Sequence, residues 1–390
     1  MCDKVREDFL PYGRQWIDDE DIAAVVEVLK SDYLTTGPVI AQFEEKLKEV
    51  TGAQYAVALS NGTAALHAAC FAAGIKEGDE VITSPMTFAA TANAVLYCGG
   101  KPVFADICPD TYNINPEEIK RKITDKTKAI IPVHYTGQPC DMDEIMKIAE
   151  EYNLLVIEDG AHALGASYKG KMIGNIGDMT TFSFHPVKPV TTGEGGAVTT
   201  NNKDFYEKLL LFRSHGITRD ADKLLKDEGT WYYEQQILGY NYRMTDIQAA
   251  LGCSQLNKLD YFLEKRREYA KLYNDAFKDC EGVIRPRQLP DTLSGWHLYV
   301  LQLDLDKIRP DRRVIFDELR IHNIGVNVHY IPVYYHPYYQ KLGYQRGLCP
   351  EAEKLYERII SLPLFPKMTK EDIMYVIKCV KEIIGVYIKR

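Results

Sequence analysis

The chain lacks any C-x-x-C pair, although it carries nine cysteines: Cys2, Cys70, Cys98, Cys108, Cys140, Cys253, Cys280, Cys349 and Cys379. An odd, scattered set argues against a zinc ribbon or a disulfide framework and reads as reduced thiols of a cytoplasmic protein. No apolar run approaches membrane-spanning length, and MCDKVREDFLPYG puts charges where a signal peptide needs an apolar centre, so export and a membrane partner are not expected. Basic excess is missing as well. With 55 Asp and Glu against 47 Lys and Arg the net charge is −8, which disfavours nucleic acid as a main partner. There is no internal repeat, low-complexity tract, disordered linker or metal-ligand cluster.

What is present is a globular pattern. At 390 residues, 46% of them hydrophobic, the chain can bury a large core and is expected to form two structural units. From about residue 53 to 200, short apolar runs alternate with helical patterns. YAVAL (55–59) precedes AALHAACFAAG, EVIT (80–83) precedes TFAATANAVLYC, and PVFADI follows. AIIPVHY (129–135), a helix near 141–152, LLVIED (154–159) and MTTFSF (179–184) come next. Such strands predict a mainly parallel sheet covered on both faces, with ligands gathered at the strands' carboxyl ends.

Upstream, Asp18 is a candidate N-cap for a helix with Ile22, Val25, Val26 and Leu29 at helical spacing. Residues 244–279 keep helical periodicity for over thirty positions, as one long helix linking two domains. HLYVLQLDL (297–305) and GVNVHY (325–330) read as strands, and helices are expected near 311–322, 350–360 and 369–388. The division is residues 1–255, an N-terminal segment with a large domain, and 256–390, a smaller α+β domain.

The strand ends carry the chemistry. After YAVAL, Gly62 permits a tight turn, and Thr63 and Ala64 begin a helix whose free N–H groups and dipole favour phosphate, unless Thr63 is only an N-cap. Asp159 ends an apolar strand as either a helix N-cap or a carboxylate facing the crevice. Then comes TFSFHPVKPVTTGEGGAV (181–198), where Pro186 and Pro189 hold Lys188 on a rigid, non-helical segment. A solvated lysine needs no such support. A phosphate turn, a carboxylate, the Ser183 hydroxyl and a constrained lysine together fit pyridoxal phosphate, which needs a lysine for a Schiff base and an acid on its ring nitrogen. Phe88 could stack on the ring or pack as a core aromatic.

With PYGRQWIDDEDI, NGTAAL, EDGAHALGA, SFHPVKPVTTGEGGA, GYNYRMTDIQAALG and VNVHYIPVYYHPYY in order, the chain resembles the DegT/DnrJ/EryC1/StrS sugar aminotransferases over nearly its whole length. The resemblance implies the aspartate aminotransferase-like fold (fold type I, α/β), with a mainly parallel seven-stranded sheet in the large domain. It implies pyridoxal 5'-phosphate joined to Lys188, with Asp159 on the pyridine nitrogen, Ser183, Thr63 and Ala64 at the phosphate, and Phe88 on the ring. Asn241 matches a residue that reaches the phosphate of a neighbouring subunit, hence a homodimer with shared sites. His162 stands where many relatives have a glutamine near the cofactor's phenolic oxygen, and its charge would add a pH dependence. His329 and Tyr330 fall where the family contacts sugar nucleotide, although a structural histidine is an open alternative. Tyr12 and His185 are weaker candidates for the sugar side.

Some relatives carry histidine in place of the lysine and are dehydratases, so Lys188 implies amino transfer. The HPVKP context resembles the branch acting in pseudaminic acid biosynthesis. That implies L-glutamate as donor, 2-oxoglutarate as product, and the UDP-linked 4-keto-6-deoxy-N-acetylhexosamine UDP-2-acetamido-2,6-dideoxy-β-L-arabino-hexos-4-ulose as acceptor. Another nucleotide-linked 4-keto-6-deoxy sugar, of bacillosamine or perosamine type, is the alternative within enzymes. A cofactor-binding sensor without turnover is the alternative outside them.

Overall fold

The computed structural model describes residues 5–226 and 228–389; Cys2 lies outside them. Helices α1 (Asp19–Leu29) and α2 (Pro38–Thr51) lead into β1 (Tyr55–Leu59) and α3 (Gly62–Ala72). The chain then alternates through β2 (Glu80–Thr83), α4 (Ala90–Tyr97), β3 (Lys101–Phe104), α5 (Pro116–Lys122), β4 (Thr127–Ile131), α6 (Met142–Tyr152) and β5 (Leu155–Asp159). A small hairpin, β6 (Ser167–Tyr168) and β7 (Lys171–Met172), precedes β8 (Met179–Ser183), β9 (Gly196–Thr200) and α7 (Lys203–Arg213).

Seven of these strands form one sheet in the order β1-β9-β8-β5-β4-β2-β3. β9 runs antiparallel to both neighbours, and the other adjacent pairs are parallel. Six strands therefore end on one edge. Alternate residues point to opposite faces, and both faces are buried. Ala58, Ile82, Ile130, Val156 and Phe182 pack with α2 and α6 on one side. Val57, Val81, Ala129, Ile157 and Met179 pack with α3 and α7 on the other. This is why the strands read as unbroken apolar runs rather than alternating ones.

After the two-residue strands β10 (Ile217–Thr218) and β11 (Glu234–Gln235), the expected single long helix is two, α8 (Asp246–Leu256) and α9 (Leu259–Ala276). Asn257 and Lys258 break it. The Lys258 N–H turns back to the Gln255 carbonyl at 3.0 Å, and its ammonium is held by Asp18 at 2.7 Å and Asp21 at 2.8 Å. Periodicity could not register a break fixed by carboxylates over two hundred residues away. α9 spans two cores: Leu259, Phe262 and Leu263 pack with the large sheet, whereas Tyr269, Ala270 and Tyr273 pack in a second cluster.

That second cluster surrounds a three-stranded antiparallel sheet, β12 (Val283–Ile284), β14 (Tyr299–Leu303) and β15 (Ile359–Leu362), in the order β12-β14-β15. β13 (Thr292–Leu293) instead pairs with β6. Helices α10 (Arg312–Ile321), α11 (Pro337–Lys341), α12 (Pro350–Arg358) and α13 (Lys370–Tyr387) complete the chain. The stretch 325–330 is not the strand its pattern predicts. Its backbone pairs through single bridges, Ile324 to Leu10 and Asn327 to Ser361, and Asn327, Val328, His329 and Tyr330 line a cavity.

Asp18 does cap α1, through a capping box with Asp21. The face buried by α1 is another matter: Asp21 and Val28 are covered, whereas Ile22, Val26 and Leu29 point outward, Ile22 being 54% and Leu29 55% exposed. Among the described residues no helix is long and apolar enough to cross a membrane.

Candidate active site

The carboxyl edge of the large sheet opens into a cavity of about 840 Å3. Its wall contains twelve of the thirteen residues expected at the site: Tyr12, Gly62, Thr63, Ala64, Phe88, Asp159, His162, Ser183, His185, Lys188, His329 and Tyr330. Asn241 is not among them. It lies exposed on the surface, its backbone bridged to Ser214.

Lys188 sits on the loop joining the antiparallel pair β8 and β9. The loop is closed at its base by the Ser183–Gly196 pairing, by Phe184 N–H to Gly195 at 2.8 Å, and by Thr192 N–H to Phe184 at 3.0 Å. At its tip the Lys188 N–H donates to the His185 carbonyl at 2.9 Å, a tight turn that contains Pro186 and is followed by Pro189. Lys188 is half-buried in the cavity wall, and desolvation there lowers its pKa to about 8 against the opposing pull of Asp159.

Asp159 ends β5 and is 4% exposed. Its Oδ2 accepts from Thr91 Oγ1 at 2.7 Å and its Oδ1 from the Ala161 N–H at 3.1 Å. The Thr87 hydroxyl lies 2.8 Å from that of Thr91; since Thr91 gives its proton to Asp159, Thr87 donates to Thr91. The carboxylate is thus oriented from α4 rather than spent capping a helix.

The expected phosphate turn is corrected in one respect. Asn61, not Thr63, caps α3, its Oδ1 accepting from the Ala64 N–H at 2.8 Å. Ala64's N–H is therefore engaged, and the N–H groups of Gly62 and Thr63 remain for an anion at the positive end of the helix. Two glycines allow the turn to meet the sheet. A Cβ on Gly62 would lie 2.8 Å from Ser183 Cβ, and one on Gly196 would lie 2.3 Å from the Asn61 carbonyl oxygen. Gly196→Ala is expected to cost about 1–3 kcal/mol, the usual range for overpacking, because backbone cannot yield as a side chain can. An unchanged melting temperature would contradict that packing.

Phe88 is 63% exposed and not a core residue; its ring faces the cavity 6.3 Å from that of Tyr330. His162 is buried, its Nε2 2.9 Å from the Tyr330 hydroxyl, and its ring lies 4.4 Å from that of His297. Burial, with Lys188 and His329 nearby, pushes its pKa well below the usual imidazole range. It is neutral at physiological pH and brings no pH dependence there, contrary to expectation. His329 is both structural and at the site: its Nδ1 meets Ser361 Oγ at 2.8 Å, and burial takes its pKa down to about 3. Tyr12 meets the His329 ring at 5.1 Å.

Thr87, Thr91, Glu194, Tyr242, His297 and Asn327 also line the cavity and escaped the sequence reading. A polar residue in the apolar ATANAV helix was a usable signal for Thr91. None marked His297 or Asn327.

The DegT/DnrJ/EryC1/StrS aminotransferase signature matches residues 15–381. The chain belongs to this family. It is 45% identical over 381 residues to the spore coat polysaccharide biosynthesis protein SpsC of Bacillus subtilis, covering 97% of this chain and 98% of that one. An uncharacterized protein of Methanocaldococcus jannaschii is 51% identical over 382 residues, 98% of this chain and 99% of the other. Among solved structures, Helicobacter pylori PseC, an aminotransferase involved in the biosynthesis of pseudoaminic acid, superposes with a TM-score of 0.91 at 34% identity, over 97% of this chain and all of the other. The putative sugar aminotransferase Spr1654 of Streptococcus pneumoniae, in its pyridoxal phosphate form, gives 0.91 at 31% identity over 97% and 99%. The chain is a pyridoxal phosphate-dependent sugar aminotransferase of fold type I.

Proposed function

We propose that the chain transfers the amino group of L-glutamate to C4 of UDP-2-acetamido-2,6-dideoxy-β-L-arabino-hexos-4-ulose. The products are UDP-4-amino-4,6-dideoxy-N-acetyl-β-L-altrosamine and 2-oxoglutarate, a step of pseudaminic acid biosynthesis. The observation that carries the chemistry is the half-buried lysine of lowered basicity lining one cavity with the hydrogen-bonded Asp159. The sugar assignment is supported by the HPVKP surroundings of Lys188 and the likeness to PseC.

The residues fit the cofactor by their donor types: a carboxylate at one end, free N–H groups and the Ser183 hydroxyl at the other, and a lysine between. Bound there, pyridoxal phosphate supplies an electron sink for the carbon that loses a proton. Lys188 would hold it covalently, with Asp159 on its ring nitrogen, Gly62, Thr63 and Ser183 at its phosphate, and Phe88 over its ring. Lys188 Nζ, released when the amine of glutamate takes its place on the cofactor, would take the Cα proton of glutamate and, in the second half-reaction, would deliver a proton to C4 of the sugar. A base of pKa near 8 suits that exchange better than an ordinary lysine. Tyr12, His185 and His329 sit on the sugar side.

A homodimer with shared sites, in which Asn241 reaches the partner's phosphate, is part of the same reading. Lys188 is the sole Lys or Arg among the described residues lining the cavity, whereas phosphate, glutamate and UDP are all anionic. A second copy supplies polar and cationic groups, and the outward Ile22, Val26 and Leu29 stripe offers an apolar surface to bury.

The greater identity to SpsC favours a second reading, an acceptor of the same keto-sugar class used for another polysaccharide. Supplying glutamate with each C5 epimer of the UDP-linked 4-keto sugar, and identifying the product by NMR, decides between them. The β-L-arabino epimer is expected to turn over at least tenfold faster; amination of only the other epimer would overturn the first reading.

A further inference from the structure

A second cavity, of about 440 Å3, shares no wall residue with the catalytic one. One side of it is the connection between β3 and α5. There the chain closes on itself, the Cys108 N–H donating to the Asn113 carbonyl at 2.8 Å and the Tyr112 N–H to the Cys108 carbonyl at 2.9 Å, and the turn holds Tyr112 at φ 66°. A bulky residue is seldom kept in the left-handed region, and residues that are kept there gather at ligand sites. The other side comes from β12, β14 and α12, around the three-stranded sheet.

Two buried side chains meet across this cleft. Tyr112 is 1% exposed, and the buried Gln302 donates through Nε2 to its hydroxyl at 2.8 Å. The hydroxyl's own hydrogen has no acceptor among the described residues. Burial lifts the phenol to about 12, so that hydrogen is retained at physiological pH. A buried donor without an acceptor is costly and rare. Here it belongs to a cavity wall, which leaves room for an acceptor from outside the chain.

The surrounding charge is mostly of one sign. Arg285, Arg287, Lys354 and Arg358 line the cleft against Asp110 and Glu351. Arg287 is spent on Asp110 at 2.6 Å and Lys354 on Glu351 at 2.6 Å. Arg285 donates to the Asn274 carbonyl at 3.0 Å but meets no carboxylate within ion-pair distance among the described residues, and Arg358 reaches only Asp306, outside the wall, at 3.6 Å. Four cations against two carboxylates leave an excess of positive charge beside the free O–H. Pro109, Ile284 and Leu355 add an apolar side, and the volume falls within the range of small-molecule sites.

We propose that this cleft binds a small organic phosphate monoester, its head on Arg285, Arg358 and the Tyr112 hydroxyl and its organic body against the apolar side. A monoester carries a charge of about −1.5 to −2 near neutrality and three acceptor oxygens, which match the excess charge and the fork of an arginine. The site is independent of which sugar the enzyme aminates.

The test is calorimetric titration of the cofactor-loaded protein, whose catalytic phosphate site is filled, with glucose 6-phosphate as the probe and glucose and succinate in parallel. Glucose 6-phosphate should bind once per chain with a Kd below about 1 mM, glucose should not bind, and succinate should bind at least about tenfold more weakly, lacking the third acceptor oxygen. Arg285→Gln and Arg358→Gln should each weaken the phosphate by about tenfold or more, the worth of a hydrogen bond to a charged group. Tyr112→Phe should weaken it about fivefold. Arg285→Gln should keep native aminotransferase activity, which shows that the chain still folds. No heat from glucose 6-phosphate, or an affinity that Arg285→Gln and Arg358→Gln leave unchanged, would overturn the site. Succinate binding as tightly would overturn the choice of phosphate.

Discussion

Lys188→Ala is expected to abolish turnover, a loss of about 10⁴-fold or more, since one amine serves both as covalent tether and as proton carrier. Two measurements separate those roles. After borohydride reduction the cofactor should be covalently attached to the native chain and only dialysable from the variant. In the cofactor-free native protein, reaction with an aldehyde should rise with pH and level off near the lysine pKa of about 8. Its sign follows from burial, which disfavours the charged form. At pH 7 roughly one amine in ten is already neutral, against about one in three thousand for an unperturbed lysine. Full activity of Lys188→Ala would remove Lys188 from the mechanism, and an aldehyde profile still climbing at pH 10 would remove the cause given for its reactivity.

Asp159→Asn keeps the size of the side chain and its hydrogen bond from Thr91 but removes the charge. The glutamate half-reaction should slow on the order of 10²–10³-fold, the usual cost of losing a preorganised electrostatic partner. The melting temperature should fall little, which distinguishes charge from packing. Stopped-flow absorbance following the cofactor through that half-reaction is the measurement, and a native rate would exclude Asp159 as the partner of the ring nitrogen. A smaller effect is expected from Thr91→Val, which leaves the carboxylate but loosens its direction.

Much of this site was legible because a parallel sheet gathers its chemistry along one edge. Residues after YAVAL, LLVIED and MTTFSF had to meet there once those runs were read as strands, and Pro186 and Pro189 marked Lys188 without reference to any partner. Residues defined by distant neighbours were not legible. His297 matters because Gly137 lets the two segments close up: its missing side chain leaves room for the His162 carbonyl and the Trp296 and His297 amides. The cap of α3 was misassigned because Asn61 and Thr63 are both good capping residues, and only backbone geometry chooses. The apolar stripe of α1 was read correctly as a stripe, but periodicity does not say whether the covering surface belongs to the same chain.

The antiparallel placement of β9 has a consequence for precision. Paired along its whole length with β8 on one side and β1 on the other, it cannot slide without breaking two ladders at once. A slip of a single residue would turn every side chain of the strand to the opposite face and carry the far anchor of the lysine loop about 3.4 Å along the sheet. The reactive amine is thus indexed to the sheet's register, so accuracy at the tip of the loop is inherited from a strand paired along its whole length on both sides.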